Sequence, residues 1–332
     1  MIDTFSTLKL EDIVTGNEAM AKCLRLARFA AKSDVPALLL GESGTGKTLM
    51  ARAIHNSCGR SAGPFISFNA SAMSDTLLES QLFGHERGAF TGAHAAVKGK
   101  FEMAHRGTLF LDEIADMSPL AQVKILRVLE YGEFERLGSE RISRVDVRVM
   151  AASNCSLQER IRQGKFREDL YHRLGSLTVL IPPLRKRAEE LPSLISTELK
   201  AQAKAAKRNI TGIHPEAMAL LLEHPWRGNL RELSHVIGVM ILFCETEVIM
   251  PEHISFSADL PASPLVTKTP ADIPATTQGG DERDLSLLDA IHRHVRNVYD
   301  LCGRNQRRTA KKLGISRSRL DRYLAAIGDG RP

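Results

Sequence analysis

At 332 residues, with 43% hydrophobic and 25% charged side chains, the chain has the size of roughly two globular domains and a composition that excludes collagen-like, low-complexity and mucin-like classes. Its net charge of +6 is uneven: residues 285–332 hold eleven basic and four acidic side chains, and the 284 residues before them hold 34 and 35. This marks a compact basic C-terminal module for a polyanion such as nucleic acid, or else a solvated basic tail. The five scattered cysteines form no CxxC pair, the longest strongly apolar run (236–244) is nine residues, and no basic-then-apolar pattern opens the chain; a disulfide framework, a zinc site, a membrane span and a secretory signal are thereby excluded, and the cytoplasm is expected.

In chain order, residues 1–10 read as an N-terminal extension. Over residues 11–182, short apolar runs of strand character at 37–40 (ALLL), 64–68 (PFISF), 108–111 (TLFL), 145–151 (VDVRVMA) and 177–181 (LTVLI) alternate with helical patterns. Buried strands interleaved with helices predict an α/β fold with a parallel sheet covered on both faces. After Pro182 and Pro183 the strand signal stops, and 191–206, 215–223 and 230–243 read as helices of a small subdomain over 183–256. Residues 257–284 hold four prolines, a Gly pair and no aromatic residue, the composition of a flexible linker. In the basic module at 285–332, residues 306–313 predict a short helix, Gly314 a turn, and residues 316–327 a second helix capped by Ser316. Leu320, Tyr323, Leu324 and Ile327 would bury one face, leaving Arg317, Ser318, Arg319 and Arg322 outward for the major groove, as in a helix-turn-helix. Residues 285–301 would supply a supporting helix and a dimer contact; a basic hairpin that only solubilises the chain is the alternative.

Three motifs carry chemistry. Gly41, Glu42, Ser43, Gly44, Thr45, Gly46, Lys47 and Thr48 fit the GxxxxGK[ST] phosphate loop, between the strand ALLL and a helical pattern. Its backbone N–H groups would cradle the phosphates of a nucleotide such as ATP, Lys47 would bridge the terminal phosphates, and Thr48 would hold magnesium. The strand TLFLDE ends in Asp112 and Glu113. Beside a phosphate loop, Asp112 would orient Mg2+ partly through water and Glu113 would polarise the attacking water, which makes hydrolysis the expected chemistry. Between these motifs lies ESQLFGHERGAFTGA at 79–93, whose three glycines do not suit a helix interior. It reads either as a surface loop anchored by Phe90 or as a mobile loop that offers an aromatic side chain to a protein partner.

The string GAFTGA, formed by Gly88, Ala89, Phe90, Thr91, Gly92 and Ala93, resembles the signature of the bacterial enhancer-binding proteins, AAA+ ATPases that activate RNA polymerase carrying sigma-54. The similarity runs from about residue 13 to the C-terminus and takes in GESGTGKT, FLDEI (110–114), FREDLYHRL (166–174), PPLRKR (182–187) and WRGNLREL (226–233). The resemblance implies an AAA+ P-loop NTPase with a parallel sheet, a helical lid and a C-terminal all-α Fis-type helix-turn-helix domain. It further implies that the six GAFTGA residues contact sigma-54, that Asn69 couples the state of Glu113 to that loop, and that Asn154 is a first sensor. Arg167 and Arg173 match arginine fingers that enter a neighbouring subunit's site, for which a planar, permanently charged donor is suited; a salt bridge to Glu168 or Asp169 is the alternative for either. Arg231 matches a second sensor, and Ile13 and Val14 lie where the family packs the adenine. The implied partners are sigma-54 RNA polymerase, enhancer DNA and further copies of the chain, from a dimer to a hexameric ring.

Two features depart from the family pattern. Only about ten residues precede the ATPase segment, where many relatives of this response-regulator-like group carry a receiver or sensing domain, so control is expected from a separate regulatory protein or from expression level. The stretch RNQRRTAKKLGISRSRLDRYL is richer in arginine than usual and includes Asp321, so a family consensus DNA site is not assumed. The competing functions are another AAA+ machine, such as an unfoldase or a DNA-loading ATPase, and a DNA-binding repressor that uses ATP only for assembly. GAFTGA beside a basic helical module argues against the first, and intact Phe90, Thr91 and Glu113 argue against the second.

Overall fold

The structure, a computed structural model, describes residues 7–71, 73–256, 295, 298–299, 305–313, 320 and 323–324. Five strands form the central sheet: β1 (Ala37–Leu40), β2 (Phe65–Asn69), β3 (Thr108–Asp112), β4 (Arg148–Ser153) and β5 (Leu177–Leu180). All pairings are parallel, in the order β2-β3-β4-β1-β5. Side chains alternate between the two faces of a strand, and the sheet's two cores follow that parity. Leu38, Leu109, Leu111, Val149 and Ala151 pack with helices α3 (Asp75–Phe83), α4 (Pro119–Tyr131), α5 (Leu157–Arg162) and α6 (Glu168–Leu174). Ala37, Leu39, Phe110, Met150, Ala152 and Val179 pack with α1 (Glu18–Ala31) and α2 (Lys47–Asn56).

The sequence places these strands well, with one shift. The run at 145–151 becomes a strand only from Arg148, because Val145 N–H donates to Gly132 O at 2.8 Å and the Asp146 carbonyl accepts from Arg106 N at 2.7 Å. Both bonds hold that stretch off the sheet. In the register, Leu40 lies opposite Ser153 and Asn69 opposite Asp112. The carboxyl ends of β1 to β4 therefore share one edge, the place where open α/β sheets bind ligands.

Two short antiparallel hairpins stand off the sheet, one pairing Gly84–His85 with Val97–Lys98 and the other Glu133–Glu135 with Ile142–Arg144. Phe83, Phe101 and Phe134 lie beneath them, fully or nearly fully buried, with Phe101 5.5 Å from Phe83 and 6.1 Å from Phe134 between ring centroids. Phe101→Ala is expected to cost about 3–5 kcal/mol, as for a large side chain removed from a close-packed core. Urea unfolding checks this, and a loss below about 1 kcal/mol would place the hairpins on some other support.

The lid carries α7 (Leu191–Ala205), α8 (Pro215–Glu223) and α9 (Asn229–Phe243), matching the three helices read at 191–206, 215–223 and 230–243. Its core centres on the only tryptophan, Trp226, which is fully buried and donates from Nε1 to Leu221 O at 2.9 Å. No helix among the described residues is long and apolar enough to cross a membrane.

The chain divides into two compact units, Met1–Ala262 and Ser263–Pro332. In the second, α10 (Gln306–Leu313) falls where the sequence predicts it, started by Asn305, whose Oδ1 accepts from Arg308 N at 3.1 Å. Leu320 and Leu324 are buried with Val295 and Ala310, and Tyr299 and Tyr323 pack against them. Arg317, Ser318, Arg319 and Arg322, the linker at 257–284 and most of 285–301 lie outside the described residues.

Candidate active site

The phosphate loop leaves β1 at Leu40 and enters α2 at Lys47. Gly44 and Gly46 have φ of 78° and 96°, the left-handed region that glycine enters without a Cβ penalty. Lys47 is buried in the curl, its Nζ donating to Gly41 O at 3.0 Å and Glu42 O at 3.3 Å. Thr45 Oγ1 donates to Glu42 O at 2.8 Å. At the head of α2, Thr48 Oγ1 lies 3.5 Å from Asp112 Oδ2. These are two hard oxygen donors at the loop's mouth, a donor set that fits Mg2+. A cationic ammonium bonded only to neutral carbonyls, under a glycine curl at a helix N-terminus, fits a nucleotide's phosphates.

Glu113 follows β3 with φ 53° and ψ 49°, a left-handed backbone that costs a non-glycine residue about 1–3 kcal/mol and recurs at functional sites. Its N–H donates to Asp112 Oδ1 at 3.0 Å. Its carboxylate accepts from Asn154 Nδ2 at 3.0 Å and from Asn154 N at 3.3 Å. Burial pushes the Glu113 carboxyl above the ordinary glutamate range; the Lys47 charge opposes this shift and the Asp112 charge adds to it. A base held in place with a raised pKa is suited to accept a proton near neutral pH.

Asn69, which the resemblance implies as the link from Glu113 to the GAFTGA loop, is not bonded directly to Glu113 in this arrangement. Its Oδ1 accepts from Ser71 N at 2.8 Å, so it closes the turn after β2, and the residue holding Glu113 is Asn154. A longer path does join the two: Ser71 Oγ donates to Asp116 Oδ2 at 3.4 Å, and Asp116 N to Glu113 O at 3.0 Å.

The lid sits directly on the phosphate loop. Leu230 N donates to Gly44 O at 2.9 Å, and Arg231 Nη1 to Ser43 Oγ at 2.7 Å. A Cβ on Gly44 would lie 2.3 Å from Gly228 O, so glycine is needed there for close approach as well as for its φ. Arg185 forks onto Glu42 at 2.6 and 2.5 Å, and that hydrogen-bonded guanidinium holds the Glu42 carboxyl down at about 2. Because the shift is downward, the ion pair persists as pH falls through the usual carboxylate range and is lost only in strong acid. Ile13 packs against the second core and Val14 is 90% exposed beside it. Immediately after Val14, Thr15 Oγ1 bonds the Glu190 carboxylate, and Asn17 Nδ2 donates to Lys186 O at 2.8 Å and Glu189 Oε1 at 2.7 Å, tying this segment to the start of the lid. Reading the sequence alone missed Arg185 and Asn229 as site residues, although both lie inside the quoted strings PPLRKR and WRGNLREL.

Arg167 and Arg173 are exposed. Arg167 forks onto Asp169 at 3.0 and 2.6 Å, the salt bridge that stood as the alternative to a finger, and Arg173 Nη2 donates to Leu129 O at 3.1 Å. Neither is bonded to the phosphate loop or to Glu113 of its own chain in this arrangement.

The GAFTGA segment forms the tip of the first hairpin. Gly88 N donates to Ala93 O at 2.9 Å and Ala93 N to Phe90 O at 3.0 Å. Gly88 and Gly92 have φ of 84° and 101°, with open space where a Cβ would stand. They are glycine for turn conformation, not for packing. Thr91 is exposed, and Phe90 is half-buried with its ring edge-on to His85 at 5.0 Å. Ala89 packs on Gly138 of the second hairpin. Arg136 bonds Glu86 at 2.8 Å and Glu102 at 2.6 Å, so the base of the tip is braced while the tip projects.

Comparisons with known proteins agree with this geometry. The Sigma-54 interaction domain matches residues 13–180, and the AAA+ ATPase lid domain matches residues 185–264. The chain is 40% identical over 309 residues to the transcriptional regulatory protein ZraR of Klebsiella oxytoca, covering 93% of this chain and 67% of that protein. It is 41% identical over 317 residues to the regulatory protein AtoC of Escherichia coli (strain K12), covering 95% and 68%. The crystal structure of NtrX from Brucella abortus in complex with ATP superposes with a TM-score of 0.67 at 33% identity, over 96% of this chain and 69% of that one.

Proposed function

Because the chain belongs to the family of sigma-54-dependent transcriptional activators, built on an AAA+ ATPase domain and lid, we propose that it hydrolyses ATP in an oligomeric ring. The resulting motion remodels sigma-54 RNA polymerase from the closed to the open promoter complex. The observation that carries this reading is Glu113, gripped by Asn154 at the mouth of a lidded phosphate loop, in a chain whose braced hairpin presents Thr91 outward.

In this account the loop N–H groups and Lys47 hold the ATP phosphates, Ile13 and Val14 face the adenine, and Arg231 reaches the nucleotide from the lid. Thr48 and Asp112 would hold Mg2+, partly through water; when bound, the ion neutralises charge on the phosphates. Asn154 orients Glu113, which takes a proton from the attacking water. Asn69 acts on Glu113 through the Ser71 and Asp116 bonds. Arg167 and Arg173 serve the neighbouring subunit's site, so a ring is required, and Arg167 must leave Asp169 to do so. Residues 88–93 contact sigma-54, and Arg317, Ser318, Arg319 and Arg322 read enhancer DNA. The chain works in the cytoplasm.

The test is conversion of a closed complex by the purified chain, with sigma-54 RNA polymerase on a promoter of that class. Open complexes are expected with ATP and absent with a non-hydrolysable analogue. Opening with the analogue, or none with ATP while hydrolysis proceeds, would contradict the reading.

A further inference from the structure

Asn229, the first residue of α9, is fully buried, and its φ of 55° is one that asparagine and glycine tolerate better than other residues. Its side chain meets three segments at once. Nδ2 donates to Ser43 O at 3.0 Å and to Glu42 Oε2 at 3.3 Å in the phosphate loop, and to Arg227 O at 3.4 Å in the lid. Oδ1 accepts from Leu184 N at 2.7 Å, at the passage from sheet to lid. The two residues that follow take the neighbouring loop groups: Leu230 N bonds Gly44 O at 2.9 Å, and Arg231 bonds Ser43 Oγ at 2.7 Å. Only a side chain with both an amide donor and a carbonyl acceptor satisfies all of these groups, and a buried polar group that loses them is costly.

We propose that Asn229 is a positioning residue that makes the phosphate loop and the lid move as one and thereby sets the reach of Arg231. Ser43 and Gly44 lie in the loop that would take the phosphates, so a shift of the loop on binding would move them. With their carbonyls held by Asn229 and Leu230, that shift is passed into the first turn of α9 and carries Arg231 with it. This rests on the reading that the chain hydrolyses ATP at Lys47 and Glu113.

The test is a double-mutant cycle in the full chain, between Asn229→Gly, which keeps the left-handed backbone without strain, and Arg231→Ala. Steady-state ATPase activity and the binding of fluorescent ATP and ADP analogues are read together. Asn229→Gly alone is expected to lower kcat about tenfold with KM changed less than about threefold, and to add less than about twofold in the Arg231→Ala background. An equal effect in both backgrounds, or KM and kcat changed alike, would overturn the proposal, because Asn229 would then act independently of Arg231. Should Asn229→Gly fail to fold, Asn229→Asp, which sets a carboxylate against Glu42, is expected to be impaired and to regain at least about threefold in kcat when Glu42→Gln is added; no recovery would overturn it. A wild-type chain without hydrolysis would fail the ATPase reading instead. The ratio of ATP to ADP affinity would then decide on Asn229, with non-additive shifts supporting the proposal and additive ones overturning it.

Discussion

Glu113→Gln is expected to lower ATP hydrolysis by about a hundredfold or more, the scale of losing a positioned general base, with nucleotide affinity changed less than about threefold because the phosphate contacts lie elsewhere. Glutamine keeps the shape and one acceptor for Asn154, so the fold around β3 is retained, and what disappears is an atom able to take a proton. The pH dependence has a definite sign. Burial, aided by the Asp112 charge and opposed by Lys47, raises the Glu113 pKa, so wild-type hydrolysis falls as pH drops through that raised value. The acid limb of the rate therefore lies above the ordinary glutamate range, and it is absent from the residual activity of Glu113→Gln. For stability the same shift runs the other way: a carboxyl whose folded pKa is raised favours the folded state at acid pH, and that contribution is lost as pH rises through the folded value. Melting temperatures across pH for wild type and variant check this second sign, and rate profiles check the first.

Thr91→Ala is expected to separate hydrolysis from its mechanical use. Thr91 is exposed at the hairpin tip, outside the packed Phe83, Phe101 and Phe134 cluster. Its truncation should change stability by no more than about 0.5 kcal/mol and leave ATPase activity within about twofold, since no site group touches it. Capture of sigma-54 should weaken by about 30-fold or more if Thr91 is a contact residue costing 2 kcal/mol or above, and transcription should fall with it. Phe90→Ala differs in kind. Phe90 packs edge-on against His85, so that variant loosens the tip as well as removing a contact.

The two expected results draw on parts of the chain that were unequally legible in sequence. The strand–loop–helix around Lys47, the acidic end of β3 and the lid helices could be read directly, because each is specified by neighbours in the chain: an apolar run, a glycine-rich turn, a helical period. The parity that sends Leu38 to one core and Leu39 to the other follows from the pleat alone. What could not be read depends on which hydrogen bonds form among several open to a residue, near or far in sequence. The late start of β4 is set by Gly132 and Arg106, the orientation of Asn69 by the turn at Ser71, and the choice of Arg167 for Asp169 by which of two nearby acids its fork meets. Asn229 was hidden for a similar reason. Its bonds to Glu42 and Ser43 join it to a loop 187 and 186 residues earlier in the chain, and its bond to Leu184 reaches back 45, so no local pattern announces those contacts.

The most direct test of the central claim is capture of purified sigma-54 by the full chain in four states: no nucleotide, ATP, ADP, and ADP with aluminium fluoride as a mimic of the hydrolysis state. The account predicts capture in the mimic state, weak or none in the other three, and loss of the captured fraction in Thr91→Ala. Equal capture in all four states, or none in any state while ATP is hydrolysed, would contradict the claim that hydrolysis at Glu113 drives the GAFTGA tip against sigma-54.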